Sequence, residues 1–209
     1  MAAYLVWFVT CWKYSLDFGI FCCLAKGNDG DFMDKTKIET IRKGVQKYQF
    51  LRETLMHTDV SKDRDFQKRF NGFFRMGRRT EQYYADFYSY LEEHKASGVS
   101  FADALQYLYE RHGRLEISFV SKMVAMVDPN YPIWDSVVAG GHFHMKAPYA
   151  NVKDRLKLAI EKYDEYCRAY AAYMQTESAV ENIAVFDRYF PGSSVSNVKK
   201  VDFILWQER

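Results

Sequence analysis

Cysteine is scarce in this chain and placed to exclude a cross-linked or zinc-bound framework. Of 209 residues only Cys11, Cys22, Cys23 and Cys167 are cysteine, and three of these fall in the first 23 positions. No pair has zinc-ligand spacing and no disulfide framework is suggested, so a reducing, cytoplasmic setting is the expectation. Net charge is almost absent too: 29 Lys and Arg face 27 Asp and Glu, leaving +2. Overall charge therefore does not announce a nucleic-acid partner, and any such partner needs a local basic patch. The sequence also lacks a glycine-rich phosphate loop, a dinucleotide fingerprint, a Gly-x-Ser-x-Gly elbow and a short-range Cys-His nucleophile pair. No cofactor is expected. There is no internal repeat, no low-complexity tract and, after residue 33, no run of strand-like alternation.

What the chain does have is helical periodicity and aromatic side chains, which make up 17% of it. Ile38, Ile41, Val45, Tyr48, Leu51 and Leu55 recur at three to four residues, the spacing of one helix face. Thr80 is placed to cap a helix carrying Tyr83, Tyr84, Phe87, Tyr88 and Leu91. Ser100 and Asp103 form a near capping box, and Gly113 is placed to end that helix. Asn151 with Asp154 starts what reads as the longest helix, with Val152, Leu156, Ala159, Tyr163, Tyr166, Tyr170 and Tyr173 on one side. A further helix runs from about Glu177 to Phe190, and Ser196 caps a terminal one. The expected fold is all-α, a compact bundle of about seven or eight helices joined by short turns.

Residues 1–32 are set apart by composition. Ala3 to Trp12 is apolar, Lys13 and Asp17 interrupt, Phe18 to Ala25 is apolar again, and a polar run precedes Met33. Two charges count against a bilayer span, and no basic start marks a secretory signal. No membrane partner is expected unless residues 3–25 insert. The preferred reading is a natural start at Met33, with a packed hydrophobic arm as the alternative. Residues 33–209 then form a single all-α domain.

Three groups of residues can carry chemistry. Lys122 lies within the apolar run from Phe119 to Val127, and Asp135 follows it by thirteen positions. Desolvation would lower the lysine pKa and free its amine to act as a nucleophile. The same two residues also suit a snorkelling lysine and a plain helix N-cap. The segment from Lys62 to Arg79 holds seven basic and two acidic residues, a local +5, with Phe66, Phe70, Phe73 and Phe74 interleaved. Lys68, Arg69, Arg75, Arg78 and Arg79 would contact phosphates there; a solvated face over a phenylalanine core is the alternative. His142 and His144 share a face in an extended segment, and Asp135 would be the third ligand of a metal-dependent hydrolase. His57, His94 and His112 read as surface or helix-end residues.

Ser121-Lys122-Met123 followed by Pro132-Ile133-Trp134-Asp135-Ser136-Val137-Val138 resembles the core of the helix-hairpin-helix DNA glycosylase superfamily, in particular divergent bacterial proteins with an 8-oxoguanine-glycosylase-like fold. The resemblance implies DNA as partner and base-excision repair as the process. Lys122 would be the nucleophile and Asp135 the charge stabiliser, with Phe119, Trp134 or Trp206 stacking on the flipped base. Ser118 and Val120 stand where that family's hairpin has glycines, and the interval of thirteen is shorter than the family's usual one. Either the DNA grip differs, or the chain is a non-catalytic all-α nucleic-acid-binding or interaction protein that keeps the fold without the chemistry.

Overall fold

The computed structural model describes residues 33–208. The expectations placed on residues 1–32 lie outside the described residues. Eight α-helices and one π-helix make up the described part, with no strand among the described residues. In chain order they are α1 (Lys35–His57), α2 (Arg64–Phe73), α3 (Glu81–His94), α4 (Phe101–His112), α5 (Ile117–Val127), the π-helix Val138–His142, α6 (Arg155–Tyr173), α7 (Glu177–Tyr189) and α8 (Asn197–Leu205).

Local chemistry sets the starts of most of these. Asp34, Asp63, Thr80, Ser100, Thr176 and Ser196 each accept, on a side-chain oxygen, a backbone N–H from the first turn of the next helix. Each such cap is worth about 1 kcal/mol and fixes where the helix begins. Gly113 ends α4 with φ +63°, a left-handed turn that favours glycine. Two expectations are corrected. Among the described residues the longest helix is α1, with 23 residues against 19 in α6. Asp154 precedes α6 but makes no side-chain cap bond.

The helices bury one aromatic core. Phe66 and Phe70 of α2 meet Phe87 and Tyr88 of α3. The tyrosine stripe of α6 does more than fill space. Tyr163 donates its hydroxyl proton to the Pro132 carbonyl at 3.0 Å and Tyr166 to that of Ile133 at 3.2 Å. Those two carbonyls lie in the non-helical segment between α5 and the π-helix, so α6 anchors the stretch that presents Asp135. Packing of α1 against α8 is close at Gly44, where an added Cβ would come within 2.9 Å of the Phe203 ring. No described helix is long and apolar enough to cross a membrane.

Candidate functional site

A cavity of about 760 Å³ opens between α1, the end of α2, α5, the segment 133–138 and α8. Lys122 and Asp135 both line it. Lys122 comes from the middle of α5, a helix buried on nearly every side, and is itself only 8% exposed. Its Nζ donates to Ser118 Oγ, one turn back, at 3.0 Å and lies 5.3 Å from the Phe119 ring centre. Burial drives its pKa down from the usual 10.5 to about 8, against the opposing pull of the Asp135 charge and then Glu116. Loss of water around an ammonium group penalises its charged form, and here that penalty exceeds both carboxylate contributions.

Asp135 acts on the amine through space, and no ion pair joins the two among the described residues. Its Oδ1 accepts the N–H groups of Val137 and Val138, each at 2.7 Å. That is capping chemistry, but the element it opens is not the expected α-helix. The next turn is the five-residue π-helix, closed by wide bonds such as Phe143 N–H to Val138 O. The carboxylate is held by these backbone donors, and its charge still reaches the cavity.

Sequence reasoning missed a second charged group on the same wall. Lys199 and Asp202 of α8 line the cavity, and Lys199 is 2% exposed. Lys199 Nζ donates to Asp202 Oδ2 at 2.6 Å and to the Tyr131 carbonyl at 3.3 Å; Tyr170 donates to Asp202 Oδ1 at 2.8 Å. Burial pushes the Asp202 carboxyl up, Lys199 and Tyr170 hold it down, and the charge of Asp135 adds an upward push. Lys199, Asp202 and Trp206 stand at i, i+3 and i+7 in the sequence. That helical stripe is the signal that could have found them.

The proposed stacking residues separate. Trp134 and Trp206 line the cavity. Phe119 does not: it is buried against Tyr83, with the Arg79 guanidinium 4.7 Å from its ring centre. The correction has a simple cause. The Phe119 ring packs toward α3 and lies 5.3 Å from the Lys122 amine, so it backs that lysine without lining the cavity.

The basic segment is also redistributed. It contains α2, capped by Asp63, a helix that the sequence does not announce. Lys68 and Arg78 are exposed, and Arg75 is exposed and lines the cavity. Arg69 pairs with Asp65 at 2.6 Å on the surface. Arg79 is not an open phosphate contact: it donates to Glu116 Oε2 at 2.8 Å, in a half-buried bridge to the start of α5. The nearby carboxylate holds the Arg79 guanidinium firmly charged.

The histidine pair gathers no ligand set. His142 Nε2 contacts the Leu205 carbonyl at 3.3 Å, His144 sits in a left-handed conformation, and among the described residues no group of three or more His, Cys, Asp or Glu is arranged to hold a metal ion. His57, His94 and His112 end α1, α3 and α4, with His112 on Asp86 at 2.9 Å.

Comparison with known proteins leaves the geometry to speak alone. No family model, no curated protein and no solved structure matches this chain.

Proposed function

We propose that this protein is a divergent member of the helix-hairpin-helix DNA glycosylase superfamily that excises a damaged base with Lys122 as nucleophile. One observation carries the reading: a buried lysine, with its pKa lowered to about 8, shares a 760 Å³ cavity with a carboxylate that is not paired to it. A nucleophilic amine must be neutral, and a pKa of about 8 leaves a useful neutral fraction near physiological pH. A salt-bridged lysine would lack that fraction. Two tryptophans and mixed polar and apolar walls suit a flipped nucleobase.

The chemistry rests on these positions. Neutral Lys122 Nζ attacks the anomeric carbon of the sugar, and the bond from that carbon to the base breaks. The electron pair leaves on the base, which takes up a proton. The attached nitrogen gives up a proton, the bond from the anomeric carbon to the ring oxygen breaks with its electron pair on that oxygen, which takes up a proton, and the nitrogen lone pair closes a protonated Schiff base to the lysine. Asp135 lines the same cavity as Lys122, and its negative charge would offset the positive charge that develops on the sugar. Its backbone hydrogen bonds keep it oriented as that charge appears.

The test is borohydride trapping on a panel of damaged-base duplexes. The wild type should form a covalent adduct with at least one lesion, and Lys122→Ala should form none. A wild type inert on every lesion, yet still binding DNA, would leave the non-catalytic nucleic-acid-binding reading in its place.

A further inference from the structure

We propose that Arg75 is the specificity determinant of the cavity, holding the Trp206 ring against free aromatic molecules and yielding it to bases that arrive on a phosphate backbone. The proposal rests on the nucleic-acid reading above and adds to it a rule for which ligands enter.

The backbone at Arg75 is the first observation. After α2, Arg75 N–H bonds to the Gly72 carbonyl and Met76 N–H to that of Asn71 at 2.8 Å. These are the two closing bonds of a Schellman turn, which places Arg75 at its left-handed position with φ +53°. Glycine is favoured there because any Cβ is strained. Glycines stand close by at 72 and 77, yet an arginine occupies the strained position. Stability of the turn does not account for that choice, and the arginine side chain offers a reason for it.

The side chain supplies the second observation. Its guanidinium carbon lies 5.0 Å from the centre of the Trp206 ring, and both residues line the cavity. A cation seated over the indole ring occupies a surface that a stacking base would need. The two therefore compete. Guanidinium on a solvent-accessible aromatic ring holds it by about two- to five-fold in equilibrium terms. A free base or nucleoside must overcome that factor with no return.

A nucleotide within a strand is different, because it brings a phosphate. The displaced guanidinium can form a forked pair with that phosphate. Lys146, exposed and lining the cavity, adds a second cation to the rim. Displacement of Arg75 thus costs a free aromatic ligand and favours a strand-borne one.

The experiment compares wild type, Arg75→Gly and Arg75→Lys. Affinity is measured for guanosine by equilibrium dialysis and for a short single-stranded oligonucleotide at several salt concentrations, with Tm recorded for each protein. Arg75→Gly should bind guanosine about two- to five-fold more tightly, bind the oligonucleotide more weakly with a salt slope reduced by about 0.7, and melt higher because the turn is relieved. Arg75→Lys should retain most of the salt slope. In Arg75→Gly, Trp206→Ala should remove the gain for guanosine.

Guanosine affinity that is unchanged, lower or unmeasurable in Arg75→Gly would overturn the proposal. A lower Tm would show that the arginine serves the turn, and would count against it as well. If guanosine binding rises but no protein binds the oligonucleotide at low salt, competition for Trp206 stands while the phosphate rule and the nucleic-acid reading fall.

Discussion

Ser121 accepts the backbone N–H of Trp134 on its hydroxyl oxygen at 3.0 Å, and donates the hydroxyl proton to the Ser118 carbonyl at the same distance. Ser121 precedes Lys122 and Trp134 precedes Asp135, so this one buried hydroxyl ties together the immediate neighbours of both site residues. The interval of thirteen residues is thereby closed into a fixed geometry. Ser118 takes part twice, through its carbonyl to Ser121 and through its hydroxyl to the Lys122 amine.

Removing that hydroxyl should damage both stability and the site. Ser121→Ala leaves the Trp134 N–H buried without an acceptor, a loss of about 1–3 kcal/mol. Chemical denaturation should show it as a lower midpoint at constant slope. Ser118→Ala takes the hydroxyl from the Lys122 amine but keeps the Ser118 carbonyl, and it should cost less than Ser121→Ala because the amine lines the cavity and can shed its proton. Equal effects of the two substitutions would refute the role given to Ser121.

Lys122 should impose a pH dependence of definite sign. Its pKa falls from 10.5 to about 8 on folding, so the ammonium form is disfavoured in the native state. The penalty is complete below pH 8 and fades as pH rises toward 10.5. Lys122→Met should therefore stabilise the protein at about pH 7, by up to about 3 kcal/mol, and by less at about pH 10. Trapping by the wild type should climb with pH to a midpoint near 8. A midpoint above about 10 would mean that burial does not govern this amine.

Asp135→Asn separates two effects that oppose each other. Loss of the carboxylate charge removes an upward push on the Lys122 pKa, so the midpoint of the pH profile should move down. Loss of the same charge removes transition-state stabilisation, so the plateau rate should fall by about 10²-fold or more. Single-turnover rates across pH would show both. A plateau that rises together with the downward shift would leave Asp135 as a pKa modifier alone.

The basic segment should behave as two populations. Replacing Lys68 and Arg78 by Ala should lower the salt slope of binding to duplex DNA by about 0.9 for each phosphate that is no longer neutralised, with little change in Tm. Arg79→Ala should do the reverse, because its guanidinium joins Glu116 and covers Phe119. Removing it leaves Glu116 largely buried without that partner, and the Tm should drop while the salt slope holds. A large slope change in Arg79→Ala would restore it to the DNA-binding set.

The helices that begin after Thr80, Ser100 and Ser196 are legible in the sequence because a capping residue and an apolar stripe coincide there. Helix α2 is harder to read for a physical reason. Its Phe66, Phe70, Phe73 and Phe74 have helical spacing, but interleaved arginines and lysines give the stretch the look of a charged surface. Lys122 and Asp135 can be picked out singly, yet their meeting in one cavity depends on Ser121 and on the α6 tyrosines, which act across the fold. Lys199 and Asp202 escape notice because a lysine and an aspartate three apart on a helix usually face water; here Tyr170 and Tyr131 supply the partners that make burial tolerable. Arg79 reads as a phosphate contact because its carboxylate partner lies 37 positions away.

The π-helix after Asp135 gives the site a dependence on residue count that no side chain reveals. Its bonds run from Gly140 N–H to Asp135 O, His142 N–H to Val137 O and Phe143 N–H to Val138 O, each spanning one residue more than an α-turn. Such a turn amounts to an α-helix with a single insertion. Without one glycine at 140 or 141 the wide bonds to Asp135, Val137 and Val138 could not form in their present register, and Met145 and Lys146, which line the cavity just after them, would be drawn back by one position. The donors that hold Asp135, the N–H groups of Val137 and Val138, precede the deletion, so the change would fall on the cavity wall that follows them. In this protein the length of that one turn, and not only its side chains, sets the cavity wall beside the aspartate.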